Sequence, residues 1–152
     1  MADDGTTAST EDAALGDVLA AEHAAVWGYG VVGAALPVDG RAPAADGEQA
    51  HRDSRDRLSE LLDEREADPV PAEAGYQLPF PVLSAVDAAT LAVVLEEGVS
   101  AAWVALLDAA GDAPVRQLAV DSLGAAEERA VAWRAAAGRT PVTTALPGLP
   151  GS

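Results

Sequence analysis

The most reactive side chains in this sequence are a few ionisable groups set among aliphatic ones. Turning about 100 degrees per residue places Leu15, Val18, Leu19, Val26, Tyr29 and Gly33 on one helical stripe, with Glu22 in its middle. A second stripe, Leu58, Leu61 and Leu62, leads back one and two turns to Arg55 and His51. A third, Leu91, Leu95, Val99, Trp103, Leu106 and Leu107, is a broad apolar face flanked by Glu96, with Glu97 turned further out. In a fourth, Val120, Leu123, Ala130 and Val131 surround Glu127, with Arg134 two turns on and Glu128 beside Asp121 on the wet side. A buried unpaired carboxylate costs several kcal/mol, so Glu22, Glu96 and Glu127 need a cationic partner, a proton or a metal ion. Two chemistries meet that need. One is a buried hydrogen-bond network in which Arg55 bridges Glu22 and Glu96, His51 donates to one of them, and Arg134 answers Glu127. The other is a carboxylate-histidine metal site at the centre of the bundle, because Glu and His on facing helices supply the oxygen and nitrogen donors that iron and manganese take. Arg55 weighs against the metal by bringing positive charge to where a cation would sit. His23 and Trp27, one turn apart, read as a stacked, partly exposed pair.

Four helices must position these groups. Periodicity, with Pro and Gly as punctuation, puts helix 1 at about Asp12 to Leu36, helix 2 at about Asp46 to Ala67, helix 3 at Val86 to Ala110 and helix 4 at Ala113 to Ala137. Gly28, Gly30 and Gly33 each cost a helix about 1 kcal/mol against Ala, so they mark a close helix-helix contact. The short links between helices 1 and 2 and between helices 3 and 4 make each pair antiparallel neighbours. Asp68 to Ala85 differs, with Pro69, Pro71, Pro79 and Pro81 around Tyr76, Leu78 and Phe80. Its roughly 18 residues reach up to about 60 Å extended, past a helix of about 37 Å, so it is a crossover whose apolar residues pack on the outside of the bundle. The expected organisation is a disordered tail over 1–11, an all-α antiparallel four-helix bundle over 12–138, and an extended or disordered Pro/Gly-rich tail over 139–152.

Composition narrows the function. Nine Arg and no Lys face 25 acidic residues, a formal charge of -16, which repels nucleic acid and anionic membranes, so no nucleic-acid or membrane partner is expected. There is no Cys to form a disulfide or thiolate metal site, and nothing points to an oxidising compartment. The polar, acidic Met1 to Glu11 lacks the basic start and apolar stretch of a signal peptide, and no segment reaches 18 uncharged apolar residues, so the expected location is the cytoplasm. Neither a Gly-x-Ser-x-Gly elbow nor a phosphate-cradling glycine loop is present.

Four stretches carry a resemblance: Ala20 to Gly33 (AEHAAVWGYGVVG after Ala20), His51-Arg52 with Arg55, Tyr76 to Val82 (YQLPFPV), and Pro141 to Leu149 (PVTTALPGL). Together they are similar to the actinobacterial ferritin-like domain of unknown function called DUF4439, from about Asp12 to Leu149. The resemblance implies a ferritin-like fold, two antiparallel helix pairs joined by a long crossover between helices 2 and 3, and supplies no function. Metal-binding members of the wider ferritin-like superfamily carry a Glu on the first and third helices and Glu-x-x-His on the second and fourth. Glu22, Glu48 to His51, and Glu96 match. Helix 4 does not, because Ala130 follows Glu127 at the third position and Val131 follows Glu128. The expectation is therefore a ferritin-like bundle without a complete two-metal centre, without a cofactor and without enzymatic activity. It would form a homodimer through the glycine-rich face of helix 1 or the crossover loop. The alternative is an oxidoreductase or storage protein binding iron or manganese through Glu22, Glu48, His51, Glu96 and Glu127. A third reading is a carrier of apolar ligands lined by Trp27, Trp103 and Trp133.

Overall fold

Runs of Ala, Leu and Val with Pro only at their breaks or in a first turn favour helix, despite the glycines inside them. The computed structural model describes the backbone of residues 4–151 and the side chains of 10–151. It contains α1 (Asp4–Ala35), a 3-10 turn (Val38–Gly40), α2 (Ala42–Glu64), α3 (Ala85–Ala109) and α4 (Ala113–Ala136). Pro43 and Pro114 lie in the first turns of α2 and α4, where the missing N–H costs nothing. At the start of α3, Ser84 Oγ accepts from the Asp87 N–H at 3.1 Å, and Asp87 Oδ2 accepts from the Leu83 N–H at 3.1 Å.

α1 begins at Asp4, so most of the segment expected as a loose tail is helical. At Glu11, the last residue of that segment, partners distant in sequence hold the side chain. Glu11 is 2% exposed. Its Oε2 accepts the Gly111 and Asp112 N–H groups at 2.6 and 3.0 Å, and Arg65 Nη2 lies 2.7 Å from its Oε1. Arg65 also pairs with Asp12 and Asp112, so it ties the start of α1 to the α3–α4 turn. Residues 1–3 and 152, at the ends of the expected tails, lie outside the described residues.

α1 packs against α2 and α3, and α3 against α4. Two apolar clusters show the direction of each helix. Leu15, Val18 and Leu19 of α1 meet Leu58 and Leu62 near the end of α2, Val99, Trp103 and Leu106 near the end of α3, and Val115 and Ala119 at the start of α4. Tyr29, Val32 and Leu36 meet Ala44, then Ala88, Ala89 and Leu91, then Trp133. Consecutive helices within each pair are thus antiparallel, while α2 and α3 run the same way. Residues 65–84 must therefore travel the full length of the bundle, as the loop length required. They run along α1: Val70 Cγ2 lies 3.5 Å from where a Gly16 Cβ would be, His23 Nε2–H donates to the Val70 carbonyl at 2.9 Å, and Tyr76 meets Trp27 with ring centroids 5.7 Å apart. Leu78, Phe80 and Val82 then cover the second cluster. His23 and Trp27 hold this strap instead of stacking on each other. α3 is long and apolar enough by composition to cross a bilayer; here it packs between α1 and α4.

Of the two states expected of the C-terminal segment, extended or disordered, its described residues take a docked course along the bundle. Arg134 Nη1 donates to the Val142 carbonyl at 3.1 Å, and Gly148, at φ +79°, sits so close to α3 that a Cβ would come within 2.6 Å of the Ser100 carbonyl oxygen. Only a glycine fits that approach and that backbone angle.

Candidate functional site: a buried chain of charged groups

Between the two apolar clusters lies a polar layer to which all four helices contribute. His51 of α2 is fully buried and stands between two carboxylates. Its Nδ1–H donates to Glu22 Oε2 of α1 at 2.6 Å, and its Nε2–H to Glu96 Oε1 of α3 at 3.0 Å. Glu22, 1% exposed, receives two more donors on Oε1: Ser54 Oγ at 2.8 Å and Trp103 Nε1 at 3.3 Å. Glu96, 0% exposed, also accepts on Oε1 from Arg129 Nε of α4 at 2.9 Å and from the Tyr29 hydroxyl. Trp133 Nε1 completes the chain by donating to the Tyr29 oxygen at 2.8 Å. Glu96 Oε2 is buried and has no hydrogen-bond partner.

The charges close on themselves. Burial alone would push His51 down, but its hydrogen bonds to Glu22 and Glu96 lift it to about 9, so both ring nitrogens carry protons at neutral pH. Burial would raise Glu96, yet His51 and Arg129 hold it below its ordinary value. Burial drives the Tyr29 hydroxyl strongly upward, and the neighbouring Glu96 carboxylate adds to it, so this phenol is a donor that keeps its proton. Two carboxylates, one imidazolium and one guanidinium therefore sum to zero, which is the condition for keeping them out of water.

Of the residues singled out from sequence, Glu22, His51 and Glu96 come together and Arg55 does not. Arg55 is half-buried and pairs with Asp56, its neighbour, at 2.7 Å. The bridging cation is Arg129. Glu127 and Arg134 form a separate cluster at the tail: Arg134 Nη1 donates to Glu127 Oε1 at 2.7 Å, Nη2 reaches Glu97 at 3.3 Å, and Thr144 donates to Glu127 at 3.4 Å. Glu48 pairs with Arg52 near the surface. The five residues named as metal ligands are thus divided among three places. Where three of them do meet, the imidazole lies between the carboxylates, so the donors point at each other and not at a shared point. Among the described residues no group of three or more His, Asp or Glu forms a metal-holding cluster. That arrangement does not fit a two-metal centre.

Arg129, Tyr29, Trp133, Ser54 and Trp103 complete the centre and were not assigned to it from sequence. For Arg129 the signal was the spacing of Ala126, Ala130 and Trp133, which are buried on α4, whereas Val120, placed on the apolar face from sequence, is 50% exposed. The buried stripe of α4 is rotated from the one expected, and Arg129 lies along it. For Tyr29 the counterpart is Gly47: a Cβ there would lie 2.8 Å from Tyr29 Cζ, so the glycine makes room for the phenol beside α2. Gly28 plays the same part against Leu95 of α3, and Gly33 rests on Ala44 at ordinary contact distance, while nothing lies near Gly30.

A solved structure of similar shape is the crystal structure of a conserved hypothetical protein, rv2844, from Mycobacterium tuberculosis. The two share 40% identity with a TM-score of 0.81, over 84% of this chain and 96% of that one. Among curated proteins the chain has no match. Residues 14–151, from the first core leucine's neighbour on α1 to the docked C-terminal segment, match the family described as Domain of unknown function (DUF4439), and the chain belongs to that family.

Proposed function

We propose that this protein is a non-catalytic, ferritin-like bundle in which an internally neutralised chain, Glu22–His51–Glu96–Arg129, occupies the place where metal-binding relatives of that architecture hold their ions. The observation that carries this reading is His51 with both ring nitrogens engaged by carboxylates. An imidazole must present a bare nitrogen to bind a metal, and here each nitrogen is committed as a donor. Arg129 adds a second fixed positive charge against Glu96 at 2.9 Å. A divalent ion in this layer would have to expel the His51 proton and face that guanidinium at close range. The role that remains is structural: a rigid acidic scaffold whose surface and clefts act.

One observation favours a second reading, a metal-binding bundle using iron or manganese. Glu96 Oε2 is a buried acceptor without a partner. Elemental analysis of protein purified without chelator separates the two. The proposal expects iron and manganese well below one per chain and a melting temperature unmoved by chelator or by added manganese. Stoichiometric metal that is lost on Glu22→Ala would overturn it.

A further inference from the structure

Beside the polar centre, the first turns of α2 and the second half of α4 leave a cleft of about 350 Å³. Its walls are mainly apolar, from Pro43, Ala132, Trp133 and Ala136, and its charged groups are Arg129 and Asp46. Arg129 commits only its Nε–H to Glu96; its other guanidinium N–H groups find no acceptor among the described residues, although its side chain is just 25% exposed. Trp133 turns its N–H inward to the Tyr29 hydroxyl, so it offers the cleft hydrocarbon and not a donor. A mostly apolar slot with one oriented, partly dehydrated guanidinium is complementary to one kind of molecule. We infer that the cleft binds a small amphipathic carboxylate, with its apolar body against Trp133 and its carboxylate on the free edge of Arg129.

Two physical points support that assignment, and one opposes it weakly. A guanidinium presents paired N–H groups at the spacing of a carboxylate's oxygens, and half-covered donors gain more from such a partner than fully hydrated ones. The volume lies at the lower end of the range for small-molecule sites, which limits the ligand to a short chain or a single ring system. Asp46 is exposed and solvated at the rim, so it lowers the affinity for an anion without blocking entry. The site needs no metal, and its test does not depend on the metal content of the bundle.

The test uses the full chain and two probes of nearly equal shape, phenylbutyrate and its neutral amide, followed by titration calorimetry and tryptophan fluorescence. The carboxylate is expected to saturate at least about tenfold more tightly than the amide. Ala132→Trp, a change at an exposed position in the wall of the cleft, should abolish the binding while leaving the melting temperature within a few degrees of wild type. Asp46→Asn should tighten the carboxylate several-fold. Equal affinity for acid and amide, binding that survives Ala132→Trp, or no saturation by about 10 mM probe would each overturn the inference.

Discussion

A histidine with a carboxylate on each side is the residue on which the polar layer turns. Removing it leaves Glu22 and Glu96 buried and facing each other without their shared cation. His51→Ala is therefore expected to cost about 3 to 5 kcal/mol in urea unfolding; a loss under about 1 kcal/mol would show that the carboxylates are neutral or hydrated. The same residue sets a pH dependence. His51 is raised from 6.5 to about 9 in the folded chain. Its contribution is complete below about pH 6.5 and is lost as pH rises through about 9, an effect on the order of 3 kcal/mol. Glu96 is lowered, so its contribution is present above its unfolded value and is lost as pH falls through the folded one. For these two groups stability is greatest in mildly acidic solution and declines between about pH 6.5 and 9. Urea midpoints across that range should fall, and they should stay level in a His51→Ala chain that still folds.

At the scale of the helices, the close approach of α1 and α2 depends on an absent side chain. Ala is normally better than Gly inside a helix by about 1 kcal/mol. Gly124→Ala should show that gain, since nothing lies within 4 Å of its Cβ position. Gly47→Ala should reverse it, destabilising by about 1 to 3 kcal/mol as the new methyl meets the Tyr29 ring. Thermal unfolding of the two variants side by side checks the contrast; a stabilised Gly47→Ala would mean that Tyr29 packs elsewhere. The helices themselves were legible because Pro37, Pro114 and Gly138 sit at their ends and a long proline-rich run separates α2 from α3, although α2 starts at Ala42, ahead of the Asp46 expected. The inward faces of α1 and α3 were legible too, for Leu and Val mark them. α4 was not, because alanine occupies both its buried and its exposed faces, and a single Val120 pulled the expected stripe round toward solvent. The burial of Glu11 was hidden for another reason: it is held by Arg65, Gly111 and Asp112, partners that no local pattern reveals.

Over the molecule as a whole, the formal charge of -16 is mostly spread over the surface, while the buried ion pairs balance locally. Self-repulsion of that surface opposes the compact state, and salt shortens its reach to about 10 Å at 0.1 M. Raising sodium chloride from about 0.02 to 0.5 M should therefore raise the melting temperature; a fall would mean that exposed pairs such as Arg52–Glu48 outweigh the repulsion. The neutral polar layer rests on a cationic His51 locked between Glu22 and Glu96. Nitrogen-15 NMR of the imidazole observes it directly. Both ring nitrogens should be protonated at pH 7 and should titrate near pH 9. A bare nitrogen at pH 7, or a midpoint at or below 6.5, would contradict the account.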